Sequence, residues 1–508
     1  MGRLMTAGLQ ATLWKAADKL RGSMDAAQYK DFVLGLLFLK YVAEGEGGFR
    51  VPPAARWDQL AAQASTVLTS TGLTSTVLRS TGRAGTAGRE DIGQLVDGAM
   101  DAVMAANPPL GGVLPRIYSG GGVDQRRLAE LIAVIGDVRF TGSPGPSTSP
   151  RDVLGEAYEY FLEKFARAEG RRGGEFYTPS SVVRLLVEVL APYRGRVYDP
   201  CCGSGGMFVQ AEKFVRAHRG ARDDIAVYGQ ESNERTWRLA RMNLAIHGIT
   251  AGLGDRPADT FAHDQHPDLR ADYILANPPF NMSDWARDPG DERWRFGVPP
   301  RANANFAWLQ HIVSKLAANG TAGVVLANGS MSSRQSGEGD IRAALLEADL
   351  VSCVIALPPL LFRSTTIPAC VWFLGRNKGP RPAGLLVIDA RGLGTLTSRT
   401  ERILTEADIA LLAGTYHAWC APDPAPEAGR GGYRDVPGFC RSASLQEVRG
   451  HDYLLTPGLY VGSPEPAAGD GAEPAGEKVA RLTKELYAAL DESARREQAL
   501  REHLEGLS

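Results

Sequence analysis

Apolar positions along this chain follow two rhythms. Up to about residue 150 they recur at helical spacing, as in Leu13, Ala17 and Leu20, then Leu36, Leu39 and Val42. From Val153 to about Arg391, short apolar runs alternate with helical patterns. The runs predict strands over 196–199, 225–229, 272–276, 321–327, 351–357, 370–374 and 384–389. The helical patterns predict helices over 180–190, 207–218, 233–247, 305–318 and 338–348. Such alternation implies an α/β domain, a mostly parallel sheet with helices on both faces. Gly-, Ser- and Pro-rich stretches punctuate it at 142–150 and 422–432, and 444–461 reads as a short mixed segment. Residues 463–476 have the composition of a disordered linker.

The tail from Glu477 predicts a densely charged helix. Val479, Leu482 and Leu486 space like a heptad seam, which weakens at Ala489 and fails at Ser493 and Arg496. A seam this short favours a helix packed on a neighbouring chain over a self-paired coiled coil; a helix lying on its own body is the alternative. Nearer the start, Ser65 to Gly72 returns almost unchanged as Ser75 to Gly82. This Ser/Thr/Gly tandem is too short for a solenoid and reads as a surface linker or insertion.

Composition narrows the picture. A length of 508 residues with 44% apolar content implies about three domains with ordinary cores. Lys plus Arg number 56 and Asp plus Glu 58, a net charge of −2. A protein that gripped nucleic acid alone would carry a basic surplus, so any such grip is a local patch or is shared with another subunit. The six cysteines form no Cys-x-x-Cys pair, which suits free thiols in a reducing cytosol. The apolar run Phe32 to Leu39 is too short to span a bilayer and no signal-peptide pattern is visible, so a cytoplasmic location is expected.

Two segments carry candidate chemistry. In the first, the strand ending at Asp199 runs into Pro200-Cys201-Cys202-Gly203-Ser204-Gly205-Gly206-Met207, and Phe208, Ala211, Phe214 and Val215 continue at helical spacing. Glycines there let the backbone approach a ligand, and a helix start offers free N–H groups. The next strand ends at Glu231, where a carboxylate can accept from both hydroxyls of a ribose. In the second, Asn277-Pro278-Pro279-Phe280 follows the apolar run 273–276, at a strand end where ligands bind in open α/β sheets. The Asn277 side-chain oxygen and the Pro278 carbonyl can accept from an exocyclic amino group, and Phe280 offers a face on which an unstacked base can lie. Together the two segments point to a nucleoside-cofactor enzyme acting on an amino group. No His/Cys/Asp cluster has metal-ligand spacing, so no metal is expected.

Asp199 to Gly206 resembles the S-adenosylmethionine loop of the amino-methyltransferases that modify DNA, and Asn277 to Phe280 resembles their catalytic motif. Gly174-Glu175-Phe176-Tyr177-Thr178-Pro179 resembles the extra cofactor motif of the subgroup whose cofactor site precedes the catalytic site. Leu13 to Arg21, Leu36 to Tyr41, Phe280 to Trp285, Ile355 to Pro358 and Thr366 to Cys370 are similar to the methyltransferase subunit of type I restriction-modification systems. The resemblance runs from the first helix to about Val461. It implies a Rossmann-like methyltransferase domain over 151–415, preceded by a helical domain over 1–150. A loop-rich segment and linker over 416–476 and a partner-binding helix over 477–508 would follow. It implies transfer of a methyl group from S-adenosylmethionine to N6 of adenine in double-stranded DNA. It also implies as partners a specificity subunit that reads the sequence, a second copy of this chain, and an ATP-driven restriction subunit. No Gly-x-x-x-x-Gly-Lys-Ser/Thr loop occurs in this chain.

Residue by residue, the resemblance implies Asn277, Pro278, Pro279 and Phe280 as the catalytic set, with Asn277 also facing the cofactor. Glu175, Phe176, Tyr177, Thr178 and Pro179 would close one side of the cofactor pocket, and Asp199, Gly203, Ser204, Gly205, Gly206 and Met207 would form its floor. Glu231 would hold the ribose and Asp259 the cofactor adenine, with Asp255 competing for the last role. Thr178 has a second reading as the cap of the helix that follows. Pro200-Cys201 superficially resembles the nucleophile of cytosine-C5 methyltransferases but sits inside the Gly loop, where packing is the better reading. Arg171, Arg172, Arg287, Arg293, Arg295 and Arg301 could line a DNA path, though a solvated surface charge is the plainer reading of each. The competing functions are a stand-alone adenine-N6 or cytosine-N4 methyltransferase, a protein-glutamine methyltransferase, and a catalytically silent, cofactor-gated DNA-binding subunit.

Overall fold

The structure, a computed structural model, describes residues 26–44, 48–70, 91–120, 123–137, 150–169, 178–218, 220–221, 224–362, 365, 367–422, 432–463 and 475–505. The amino-terminal part is built on helices α1 (Ala26–Ala43), α2 (Trp57–Ser70), α3 (Ile92–Ala106) and α4 (Gln125–Asp137). α1 is apolar nearly all round, and Phe32, Leu36, Leu37, Phe38 and Leu39 are all buried, so it is the central helix of this part. The first copy of the Ser/Thr tandem corrects the linker reading. Residues 65–70 are the last turns of α2, where the hydroxyls of Thr66 and Thr69 bond back to the carbonyls of Ala62 (3.0 Å) and Ser65 (2.9 Å). The second copy lies outside the described residues.

The chain continues through α5 (Pro150–Glu169) and α6 (Ser180–Leu190) into β1 (Gly195–Asp199), α7 (Gly206–Ala217), β2 (Ile225–Gly229), α8 (Glu234–His247), β3 (Ala251–Gly252) and β4 (Ala271–Ala276). It then forms α9 (Asn305–Lys315), β5 (Leu316–Ala327), α10 (Glu338–Glu347), β6 (Val351–Ala356), β7 (Ala369–Gly375), β8 (Gly384–Asp389), β9 (Thr395–Ser398), β10 (Glu401–Ile403), α11 (Glu406–Cys420), β11 (Cys440–Ser444) and α12 (Leu445–Gly450). Nine strands make one sheet in the order β11-β8-β6-β7-β5-β4-β1-β2-β3. β1 is parallel to β2 and β4, β4 to β5, and β6 to β8, while β7 runs antiparallel between β5 and β6. The expected mostly parallel α/β sheet is therefore present. Its strand order reverses at β1, which has β2 on one side and β4 on the other; crevices for ligands open at such a point.

Register sets the site. Asp199 pairs with Gly229 and Tyr198 with Ile274, so Asp199, Glu231 and Asn277 all emerge at one rim of the sheet. α6 lies over this half of the sheet through an apolar face of Val182, Val183, Leu186 and Leu190, as its spacing predicts. α1 and α5 lie against α8: Tyr41 donates to the carbonyl of Ile246 (3.4 Å), and Glu159 approaches His247 (3.4 Å) while also pairing with Lys213 of α7 (2.8 Å). The helical part thereby reaches the rim.

Three expectations are corrected. α9 ends at Lys315, not 318, because Leu316 already pairs with Ala271 and is buried there. The boundary placed at 415 falls inside α11, which a Thr405–Asp408 capping box starts and which runs to Cys420. Beyond it, β11 adds an antiparallel edge strand beside β8; the compact unit extends to Val461, so 416–461 belongs to the same body. Residues 462–508 form a separate unit, whose helix α13 (Ala475–Glu505) exposes Val479, Leu482, Leu486, Tyr487 and Leu490. No helix among the described residues is long and apolar enough to cross a membrane.

Candidate active site

A cavity of about 420 Å³ opens at the rim. Its floor is the turn between β1 and α7. Gly203 and Gly205 both have positive φ, 55° and 79°, and a Cβ on Gly205 would come within 3.3 Å of Leu244. A side chain there would be strained by the backbone and crowded by α8. The turn is braced from three sides. The Glu231 carboxylate accepts from the N–H groups of Gly203 (3.1 Å) and Asn233 (2.7 Å). The Asn243 amide on α8 donates to the carbonyl of Ser204 (2.8 Å). Thr260 donates its hydroxyl to the carbonyl of Pro200 (2.6 Å).

Gln230 ties the floor to the next wall and is wholly buried. Its backbone bonds Asp199 (3.0 Å) and Cys202 (2.9 Å), and its side chain takes the carbonyls of Ala258 (3.1 Å) and His263 (2.8 Å) and the N–H of Gln265 (3.0 Å). These bonds hold the turn that carries Asp259, whose own carboxylate accepts from Phe261 and Ala262. Asp259 lines the cavity, and Asp255 is not among the described lining residues. Asp199 is 2% exposed, and burial, reinforced by the Glu231 charge, raises its carboxyl from 3.8 to about 7, although the N–H of Cys201 (3.0 Å) opposes the shift. Burial also pushes the thiols of Cys201 and Cys202 well up, so neither is poised as a nucleophile.

The opposite wall comes from the end of β4. Asn277 donates its amide to the hydroxyl of Thr178 at 2.8 Å, and its side-chain oxygen has no hydrogen-bond partner. A buried acceptor left unmatched costs about 1–3 kcal/mol, a penalty that a folded chain keeps where a ligand is to supply the donor. Thr178 does not cap the following helix: Pro179 takes the N-cap position and offers its carbonyl to Val182 and Val183. Pro279, Ser204, Gly206 and Met207 also line the cavity. Pro278 is buried and outside the lining, and Phe280, 7% exposed, lies edge-on to Phe362 at 5.7 Å. Glu175, Phe176 and Tyr177 lie outside the described residues.

Several wall residues carry no motif signal. Trp308 lines the Asn277 side, beside Met282 of the 280–285 segment, within an aromatic cluster whose ring centroids bring it 4.4 Å from Phe261. Lys30, Glu159 and Leu162 reach the cavity from α1 and α5. Arg293 is not a solvated surface charge. It turns inward to the carbonyls of Thr260 (2.9 Å) and Phe261 (2.8 Å) and to His311 (3.1 Å), and pins the segment after β4 onto the Asp259 turn. His311 is fully buried, and burial followed by the Arg293 charge lowers it to about 3, so it stays neutral. Arg287 bonds the carbonyl of Pro299; Arg295 and Arg301 are exposed, and Arg171 and Arg172 lie outside the described residues. All six cysteines are unpaired, and no group of His, Cys, Asp or Glu among the described residues is arranged to hold a metal ion.

Comparison with known proteins points one way. Residues 149–468 match the N-6 DNA Methylase family model, and residues 9–135 match that of the HsdM N-terminal domain. The type I restriction enzyme HindI methylase subunit of Haemophilus influenzae is 47% identical over 423 residues, covering 82% of this chain and 93% of that one. The type I restriction enzyme MjaIX methylase subunit of Methanocaldococcus jannaschii is 34% identical over 552 residues, covering 99% and 92%. Among solved structures, the type I restriction-modification methyltransferase subunit of Streptococcus thermophilus superposes with a TM-score of 0.72 at 24% identity, covering 89% of this chain and 99% of that one.

Proposed function

The chain belongs to the N-6 DNA methylase family, among the methylase subunits of type I restriction enzymes, and from that premise we propose that it binds S-adenosylmethionine and methylates N6 of adenine in double-stranded DNA. The lining chemistry suits this cofactor. Asp199 can take the ammonium, Glu231 the ribose hydroxyls through lone pairs its backbone bonds leave over, and Asp259 the adenine amino group. When bound, the cofactor supplies an electrophilic methyl group on sulfur.

The observation that carries the reading is the Asn277 carboxamide, held by Thr178 and carrying an unpartnered oxygen, which lines the same cavity as the Gly loop from the facing wall. The amino group of adenine is a weak nucleophile because its lone pair is delocalised into the ring. In this reading Asn277 and the Pro278 carbonyl accept its two N–H bonds, which turns the lone pair outward and requires the Pro278 carbonyl, outside the cavity lining here, to turn into it. Their dipoles also stabilise the positive charge that develops on nitrogen. Pro279 stiffens the turn. The reaction is an in-line displacement, in which positioning matters more than acid–base assistance. Phe280 stacks on the flipped base in this account, which requires it to leave Phe362.

A net charge of −2 fits a subunit that shares its DNA grip. The partners we propose are a specificity subunit, a second copy of this chain and a restriction subunit, with α13 as the contact to the first. The test is to purify the chain with its specificity subunit, supply labelled S-adenosylmethionine and cognate DNA, and identify the methylated nucleoside by mass spectrometry. N6-methyladenine is expected; N4-methylcytosine, or cofactor binding without transfer, would overturn the assignment.

A further inference from the structure

We propose that Lys30, a residue of the helical part, is the counter-charge for the carboxylate of the cofactor's methionine moiety. This rests on the reading of the cavity as an S-adenosylmethionine site. Among the described lining residues the amine- and carboxyl-bearing side chains are Lys30, Glu159, Asp199, Glu231 and Asp259, and the two thiols, Cys201 and Cys202, are held neutral by burial, so Lys30 supplies the sole positive charge against four carboxyls. The cofactor carries two positive groups, the ammonium and the sulfonium, and one negative group. The carboxyls match the former. Of the charged side chains in the described lining, Lys30 alone matches the latter.

The packing places Lys30 on the Gly-loop side of the cavity. α1 lies along α8: Asp31 approaches Arg235 in the first turn of α8 (3.8 Å), and Tyr41 bonds Ile246 in its last. α8 in turn holds the loop through Asn243 and Ser204 and lines the cavity with Thr236, Leu239 and Asn243. Asn277, by contrast, is held from the opposite side by Thr178. Lys30 is 8% exposed, so water screens its charge poorly and an anion beside it is worth more than at a surface. Glu159, its companion on this wall, has both carboxylate oxygens on Lys213 (2.8 and 2.9 Å), which offsets the negative charge nearest to α5. The helical part would then complete the cofactor site as well as support the sheet.

The test is a ligand dissection by calorimetry on the full chain. The probes are S-adenosylmethionine, its decarboxylated form, which lacks only the carboxylate, and methylthioadenosine, which lacks the amino-acid end. Lys30→Met keeps length and helix propensity. It should weaken S-adenosylmethionine binding by about ten- to a hundredfold, leave methylthioadenosine unchanged, and leave decarboxylated S-adenosylmethionine unchanged or slightly tighter. Lys30→Arg should restore much of the loss. Equal weakening of all three ligands, or none of any, would overturn the proposal, the first marking Lys30 as structural. Absence of S-adenosylmethionine binding by the unaltered chain would instead refute the underlying reading of the cavity.

Discussion

Asp199 makes cofactor affinity depend on pH in a way that can be calculated. In the free protein its carboxyl sits at about 7, so near neutrality about half the molecules carry it protonated. An ammonium docked on it favours the carboxylate and returns its pKa toward the ordinary range. Only the ionised fraction then binds well. That fraction falls from about 0.9 at pH 8 to about 0.1 at pH 6, so the dissociation constant should rise about tenfold, or about 1.4 kcal/mol. At pH 7 binding should release about half a proton, visible as a dependence of the calorimetric enthalpy on the ionisation heat of the buffer. Asp199→Asn, which cannot titrate, is the reference: its affinity should be lower at pH 8 and lack this tenfold component. The sign for folding is opposite. The folded chain holds this proton more tightly than the unfolded one, so the unliganded protein loses stability as pH rises from about 4 to 7. If wild type and Asp199→Asn show the same pH profile and the same proton release, the ammonium does not sit on Asp199.

Asn277→Ala should lower methyl transfer by about a hundredfold or more while cofactor affinity in calorimetry stays near wild type; near-normal incorporation of labelled methyl into cognate DNA would refute its role. Gly205→Asp, forced into positive φ and against Leu244, should abolish cofactor binding, and Glu231→Ala should weaken it by about 1–3 kcal/mol while loosening the loop it braces; unchanged affinity in both would reject the pocket. Deleting residues 477–508 should leave cofactor binding intact but prevent co-elution with the specificity subunit on size exclusion, since a helix with a short exposed apolar stripe gains its stability from a partner; stoichiometric co-elution of the truncated chain would show α13 to be an appendage.

Legibility in the sequence followed the strength of local signals. Most central strands were readable to within a residue or two because both faces are buried and the runs are almost wholly apolar, as in 351–356 and 369–375; β5 was the exception, beginning at Leu316 and not at 321 because its first half is partly exposed. β11 was not: Cys-Arg-Ser-Ala-Ser is an edge strand in which only Cys440 and Ala443 are buried. The hairpin β9–β10 has no fully buried residue and left no pattern. In the site, Asp199, Glu231 and Asn277 were legible because each ends a strand beside a turn of unusual composition. Lys30, Glu159 and Trp308 were invisible, since each looks like any other helix residue until the fold brings that helix to the rim. Arg293 was misread for the opposite reason: an arginine in a polar loop carries no mark that its partners are buried carbonyls.

Gln230 has a thermodynamic consequence. Its five hydrogen bonds, together with those of Thr260 and Glu231, join the loop after β1 and the turn around Asp259 into one body. The conformational freedom of both segments is thus surrendered on folding and not when a ligand arrives. Between those two walls, association should resemble docking into a rigid mould: a heat-capacity change set by the surface the ligand covers, and little added amide protection in segments that are already closed.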